Sequence, residues 1–305
     1  MSARNLIRFH PEITTALAEN IPVVALESTL ITHGFPHPQN LEIARKIEQT
    51  VRENGAIPAT IAILGGKITV GLTAEQLETL ATDTQARKCS VRDLPLVMAQ
   101  KANGATTVAA TMAIAHRAGI AIFATGGIGG VHRGSQFDVS ADLMELGKTP
   151  VTVVCAGMKA FLDLPDTLEY LETQAVPVLG YQTDELPAFY SRSSGLPVDA
   201  RVNSAAEVAE IITARDMLNL PQAVLVTVPV PTEDEWEASA AKAIIAQAQA
   251  EIETADISGK DITPFMLAKI AELSGKESMR ANIALLLNNA RVGAEIARAF
   301  VAQKN

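Results

Sequence analysis

The sequence predicts an α/β protein of three α/β/α layers around a mixed, mostly parallel sheet, with the active site at the C-terminal ends of the strands. Short apolar runs, PVVAL, IAIFA, VTVVCA and AVLVTV, alternate with longer stretches of helical spacing, the pattern of strand–helix–strand units. The run ATIAILGGKITVGL breaks the alternation, because two β-rich pieces meet at Gly65-Gly66, a hairpin signal that makes part of the sheet antiparallel. Polar clusters stand where the apolar runs stop, and in open α/β sheets that edge is where ligands bind.

Composition narrows the classes. A chain of 305 residues with 48% hydrophobic content has ample material for one large core, and no Pro/Ser-rich or charged linker divides it, so a single domain over residues 1–305 is expected. A net charge of −9 argues against a polymeric nucleic-acid partner, which needs a basic face. The two cysteines, Cys89 and Cys155, are too few for a disulfide framework or a Cys-based zinc site. No apolar run reaches the ~20 residues of a membrane span, and MSARNLIRFHPEI lacks the apolar core of a signal peptide. A soluble, cytoplasmic protein is expected.

In chain order, residues 11–20 form a short helix leading into the strand PVVALEST, which closes on Glu27, Ser28 and Thr29. THGFPHPQN is a loop. From Pro38 to Asn54, Leu41, Ile43, Ala44, Ile47 and Val51 recur at helical spacing, and Gly55 is a natural stop. After the hairpin, Thr73 and Gln76 make a capping box for a helix to about Leu80. ARKCSVRDLP is then a short extended piece bearing Lys88, Arg92 and Asp93, and TTVAATMAIAHRAG is a small-residue-rich apolar helix ending at Gly119. Residues 120–159 give a buried strand, a glycine-rich loop, a carboxylate-bearing segment, a short helix and a second apolar strand just before Lys159. Beyond them come a helix to about Gln174, the strand PVLGYQT, a helix capped by Ser204 and Glu207, and the strand QAVLVTVPVP. The tail from Glu233 reads as three helices, the second starting at Thr263-Pro264 and the third carrying Asn282, Asn288 and Asn289.

The loop ATGGIGGVHRG fails both common nucleotide motifs. His132 stands where G-x-G-x-x-G would close, and Ser135 stands where a Walker lysine would be. What remains is backbone able to turn N–H groups onto an anion, with His132 and Arg133 beside it, or a plain turn. Asp138 and Asp142 flank Ser140 in FDVSAD. Either carboxylate could cap a helix, yet two beside an anion loop also suit a hard divalent cation such as Mn²⁺ or Mg²⁺, for which one direct ligand suffices. His33 and His37 have a metal-like spacing but lie in a Gly/Pro-rich loop. Lys159 follows VTVVCAGM, where strand gives way to helix. Apolar neighbours and the positive helix end would favour a neutral amine there, a nucleophile for a carbonyl or anomeric carbon, whereas a snorkelling lysine is the commoner case. Glu27 is a solvated strand end or, if strands 23–27 and 151–156 are neighbours, an acid/base partner facing Lys159. Lys88 would add positive charge for a phosphate.

The blocks VVALEST, HGFPHPQN, PATIAILGG, RDLP, NGATTVAATM, FATGGIGGVHRG, FDVSADL, VTVVCAG-x-K, GYQT, LPAF, TPF-LA and ANIALLLNNA together resemble the pseudouridine-5'-phosphate glycosidase family, also called indigoidine synthase A-like. The resemblance spans nearly the whole chain in order. It implies reversible cleavage of pseudouridine 5'-phosphate into uracil and ribose 5-phosphate, with Mn²⁺ or another divalent cation such as Mg²⁺, in a homotrimer. It further implies that Lys159 of the VCAG-x-K block is a covalent nucleophile, Glu27 of VALEST a proton donor and Asp138 of FD-x-SAD a metal ligand. Lys88, Val108, Ser140, Ala141, Asp142 and Asn282 fall on substrate-contacting positions, and His132, beside the anion loop, joins them. The segment between Arg133 and Phe137 is shorter than in the family pattern.

Such a reaction would need this machinery. Pseudouridine joins sugar to base through carbon, with no lone pair awaiting a proton at that bond, so paired-carboxylate glycosidase chemistry is poorly matched. A lysine amine can instead attack C1' while Glu27 protonates the ring oxygen. The nitrogen then expels uracil as its C5 is protonated, leaving an imine that water hydrolyses. The alternatives are a metal- and phosphate-binding protein without turnover, or an enzyme for another phosphorylated sugar conjugate.

Overall fold

The computed structural model describes residues 6–134, 138–254 and 262–304. Among the described residues eleven strands share one sheet: β1 (Ile7–Phe9), β2 (Val23–Leu26), β3 (Ile57–Leu64), β4 (Lys67–Val70), β5 (Arg87–Cys89), β6 (Gly104–Thr106), β7 (Ile122–Ala124), β8 (Thr152–Cys155), β9 (Val178–Tyr181), β10 (Ala200–Val202) and β11 (Val224–Thr227). The main path is β1-β4-β3-β2-β7-β8-β11-β9-β10, with β6 on β3 and β5 on β6. Pairing is parallel except where β3 meets β4 and β6, so the expected mixed, mostly parallel sheet is found. At β4 the exception has its predicted cause: Gly65 and Gly66 take φ of 55° and 74°, the left-handed pair of a two-residue hairpin, while Leu64 pairs with Lys67.

The helices are α1 (Pro11–Ala18), α2 (Thr29–His33), α3 (Gln39–Glu53), α4 (Ala74–Thr82), α5 (Leu94–Ala99), α6 (Val108–Ala118), α7 (Ala141–Leu146), α8 (Leu164–Thr173), α9 (Ala205–Met217), α10 (Ala238–Thr254), α11 (Ile262–Ser274) and α12 (Glu277–Ala302). Strands β2, β7, β8 and β11 are buried along their whole length, which is why they read as unbroken apolar runs. α12 packs across β2, β7 and β8 with α3 and α9 beside it, and α6 packs on β2, β3 and β7 next to α7. Gly293 permits the close seat of α12, since a Cβ there would lie 3.1 Å from Ala124 Cβ. No helix among the described residues is long and apolar enough to cross a membrane.

From β2 the chain crosses to β3 on one side, and it later returns to β7 on the other. The crevice between β2 and β7 is therefore a topological switch point, where open α/β sheets place their sites. Four local expectations are corrected. Strands β2 and β8 are not neighbours, because β7 lies between them. Lys159 does not begin a helix: α8 starts five residues later at Leu164, and the field of a helix terminus fades within about one turn. THGFPHPQN starts inside α2, a five-residue helix too short to show a period. Arg92 and Asp93 sit in a 3₁₀ turn, Val91–Asp93, that runs on into α5.

Candidate active site

A cavity of about 420 Å³ opens at the C-terminal ends of β2 and β7. Of the side chains singled out from sequence, Glu27, Lys88, Val108, His132, Asp138, Ser140, Ala141, Asp142, Lys159 and Asn282 line it, while Arg133 does not and donates through Nε to Leu162 O. They converge because three parallel strands and the β5–β6 pair release their chains at one edge.

Glu27 is the first residue beyond β2. The register sets Leu26 beside Ala124, so Glu27 stands beside Thr125, whose hydroxyl donates to its Oε1. Burial pushes the Glu27 carboxyl above its ordinary value of 4.5, and the charge of Asp142 adds to this. Lys159, the Thr125 hydrogen bond and Lys88 pull the other way without prevailing. The environment thus favours a protonated acid.

Lys159 is held by the glycine loop. After β8 the chain turns through Gly157 at φ +85°, and Met158 pairs with Ile128 in a parallel bridge. Ile128 N donates to Gly157 O and Lys159 N donates to Ile128 O, both at 3.1 Å, while Lys159 Nζ donates to Gly127 O at 2.9 Å. Gly126 O accepts from Ala156 N at 2.9 Å and Gly130 O from Ser140 N at 3.0 Å. The loop is therefore braced rather than flexible. Its glycines answer a demand for close approach: a Cβ on Gly129 would fall 2.6 Å from Ser140 Cβ, and one on Gly127 2.6 Å from the Phe189 ring.

Asp142 is buried, and both its oxygens are taken by backbone amides, Oδ1 by Ala109 N at 2.9 Å and Oδ2 by Gly129 N at 2.8 Å. It ties the N-terminus of α6, where Val108 stands, to the glycine loop, a favourable place for a negative charge. Ser140 caps α7, its hydroxyl accepting from Asp142 N at 3.2 Å. His132 N donates to Asp138 O at 2.9 Å. Burial lowers the His132 pKa, aided by the charges of Lys159 and Lys88 and opposed by Asp138, so the neutral imidazole is favoured.

No group of three or more His, Cys, Asp or Glu side chains able to hold a metal ion is found among the described residues. Asp138 and Asp142 are the carboxylates of this segment, Asp142 accepting one backbone N–H at each oxygen. That donor set matches a hard ion that keeps most of its water, not a zinc cage. Residues 135–137, in the shortened segment before Asp138, lie outside the described residues.

Sequence reasoning missed Thr125 and Asn289. Asn289 is fully buried on α12 and donates through Nδ2 to Thr125 O at 2.8 Å and to Gly126 O at 3.3 Å. An asparagine on the apolar stripe of a helix was the available signal, since buried amides require partners. The apolar wall of Phe189, Leu267 and Leu286 lies within the blocks LPAF, TPF-LA and ANIALLLNNA, but no site role was read for those three side chains.

A switch-point cavity that gathers a desolvated acid, a braced lysine and an amide-rich loop belongs to an α/β enzyme. The sequence matches the family described as indigoidine synthase A like protein over residues 12–299, and the chain belongs to that family. It is 55% identical to the pseudouridine-5'-phosphate glycosidase of Caldanaerobacter subterraneus subsp. tengcongensis over 94% of each chain. It is 53% identical to that of Staphylococcus aureus over 95% of each. The crystal structure of the prealnumycin C-glycosynthase AlnA in complex with ribulose 5-phosphate superposes with a TM-score of 0.90 at 43% identity, covering 98% of both chains. An indigoidine synthase A-like protein from Thermotoga maritima gives 0.89 at 36% identity, covering 98% of this chain and 97% of that one.

Proposed function

We propose that this enzyme reversibly cleaves the C–C glycosidic bond of pseudouridine 5'-phosphate, giving uracil and ribose 5-phosphate through a Schiff base on Lys159, as a soluble cytoplasmic homotrimer. The observation that carries the reading is the meeting of the Lys159 amine and the Glu27 carboxyl in one cavity, with burial holding Glu27 toward its acid form. The glycosidase relatives and the C-glycosynthase neighbour support the choice of substrate class.

In this mechanism Nζ attacks C1' as the bond from C1' to the ring oxygen breaks, and that oxygen takes the Glu27 proton to become a hydroxyl. The nitrogen, cationic after the attack, returns a proton to the Glu27 carboxylate, and the opened sugar then carries a nitrogen lone pair on C1'. As uracil C5 is protonated, that lone pair forms the imine and the C1'–C5 electrons return to the uracil ring. Water hydrolyses the imine, freeing ribose 5-phosphate and Lys159. Gly127 O orients the amine. Lys88 supplies charge for the phosphate, and neutral His132, Val108, Ser140, Ala141, Asp142 and Asn282 shape the rest of the substrate's surroundings.

Asp138 would hold a divalent cation, Mn²⁺ or Mg²⁺, which when bound would offset charge on substrate oxygens. Chelation is expected to lower the rate and Mn²⁺ to restore it, with Asp138→Asn needing about tenfold more metal or beyond. Full activity after chelation would return Asp138 to a purely structural role. Borohydride reduction in the presence of ribose 5-phosphate, read by intact-protein mass, tests the covalent step. An adduct is expected on the native chain and none on Lys159→Ala. Uracil release without an adduct would sink the Schiff base. An adduct without uracil release would indicate another sugar conjugate, and neither would indicate a binding protein. Light scattering checks the trimer.

A further inference from the structure

Thr125 and Asn289, which received no site role from the sequence, meet behind Glu27. Thr125 is 4% exposed, and its main chain is fixed on both sides. Its N–H donates to Val154 O at 3.0 Å, and its carbonyl accepts from Asn289 Nδ2 at 2.8 Å. Sheet register thus holds it from one side and α12 from the other, and its hydroxyl donates to Glu27 Oε1. No second partner for that hydroxyl is found among the described residues.

A hydroxyl has one proton to give. If Glu27 carried its acidic proton on Oε1 and donated it to Thr125, the threonine proton would find no protein acceptor among the described residues and would have to turn into the cavity, giving up a charge-assisted contact. With Thr125 donating, Oε1 is committed as an acceptor, and the acidic proton resides on Oε2. We propose that Thr125, held by Asn289, is a positioning residue that fixes the transferable proton of Glu27 on Oε2 and so sets the direction of its delivery.

The inference rests on the proton-donor role of Glu27 described above. In the step, the Oε2–H bond breaks and the proton passes to the ring oxygen, which receives the electron pair of its broken bond to C1'. The charge left on the carboxylate is met by the Thr125 donor, together with Lys159 and Lys88, against the like charge of Asp142.

The test compares Thr125→Val, which keeps the shape but removes the donor, with Thr125→Ser, which restores the donor. Uracil release from pseudouridine 5'-phosphate is followed from about pH 5 to about pH 9. Valine should lower kcat by about 10- to 100-fold, part of the ~10²–10⁴ supplied by a positioned acid, with KM within about twofold. It should also move the alkaline limb of the profile to higher pH, since the lost hydrogen bond favoured the carboxylate. Serine should recover both. An unmoved limb in Thr125→Val, whether or not the rate fell, would overturn the assignment, as would serine behaving like valine. Wild-type protein that released no uracil would overturn the proposed reaction itself. An active wild type beside an unchanged valine variant would overturn only the role of Thr125.

Discussion

The cavity has two unlike walls. One is built from the strand-end loops of β7 and β8, where Gly126, Ile128, Gly130 and Lys159 exchange main-chain hydrogen bonds with neighbours and Asp142 closes the frame with two more. The other is helical, formed by Thr263, Pro264 and Leu267 of α11 with Asn282, Leu286 and Ala290 of α12, and apart from Thr263 and Asn282 it meets the cavity through apolar side chains. A hydrogen-bonded frame fixes its atoms closely, and losing one member disturbs the rest. An apolar wall relaxes around a change and yields by degrees. Under the proposed mechanism the difference divides the work, with transition-state chemistry on the framed wall and shape matching on the helical one. Changes on the first wall should act on kcat, and changes on the second on KM.

The largest effect is expected at Lys159. Replacement by alanine removes the proposed covalent route and should lower turnover by about 10⁴-fold or more. The fold should survive, because the side chain's hydrogen bond to Gly127 O, 2.9 Å long, is worth only about 1 kcal/mol net. Arginine should be equally inactive, since its guanidinium stays protonated. Measurable turnover in the alanine variant would remove Lys159 from the chemistry.

Glu27→Gln comes next, with kcat expected to fall by about 10²–10⁴-fold. Its stability should move the other way. The Glu27 pKa is raised in the folded protein above the ordinary 4.5. Between those two values the native state binds more protons than the unfolded state, so this group's contribution is complete below 4.5 and is lost as pH rises through the folded value. Glutamine does not titrate. Relative to wild type, the variant should therefore gain stability as pH climbs from 4.5 toward neutrality, as read from denaturant midpoints at several pH values. A variant that lost ground over that range would show that the acid is not desolvated.

The two walls were not equally legible in the sequence. The framed wall announced itself through GGIGG, FDVSAD and a lysine after a strand, because chemistry at strand ends demands particular residue types at short spacing. What those residues do was less visible. Asp142 reads as a cap or a ligand, yet its oxygens join α6 to a loop 13 residues earlier in the chain, a contact that no local pattern encodes. On the helical wall only Asn282 received a role from the sequence, its apolar members being ordinary amphipathic spacing, and the wall's place over the cavity follows from packing α12 on the sheet through Gly293. Strands β1, β6 and β10 also went unread, being three residues long and too short to alternate.

Asp142→Asn separates bracing from catalysis within the framed wall. An amide side chain offers one acceptor oxygen, so one of the two backbone N–H groups now held would face an NH₂ donor, at a cost of about 1–3 kcal/mol. The melting temperature should drop by a few degrees or more. Displacing the loop that orients Lys159 should also lower kcat by about 10- to 100-fold. Glu27→Gln loses activity without losing stability, whereas Asp142→Asn should lose both. An Asp142→Asn protein with wild-type melting and impaired kcat would instead make Asp142 a direct substrate contact.

Leu267→Ala on the helical wall should have the smallest effect. Leu267 is partly buried and packs against the main core while facing the cavity. Truncation removes contacts that a bound substrate would make equally in its ground and transition states, and such uniform binding appears in KM alone. Losing about 1 kcal/mol of apolar contact corresponds to roughly a fivefold rise in KM, with kcat within about twofold of wild type. Stability should change little, because the site is already open to the cavity and its surroundings can close over the gap. Steady-state kinetics on Leu267→Ala beside Asp142→Asn give the contrast directly. If Leu267→Ala lowered kcat while leaving KM alone, the helical wall would be pressing the substrate toward its transition state, and the division between a framed chemical wall and a yielding apolar one would not hold.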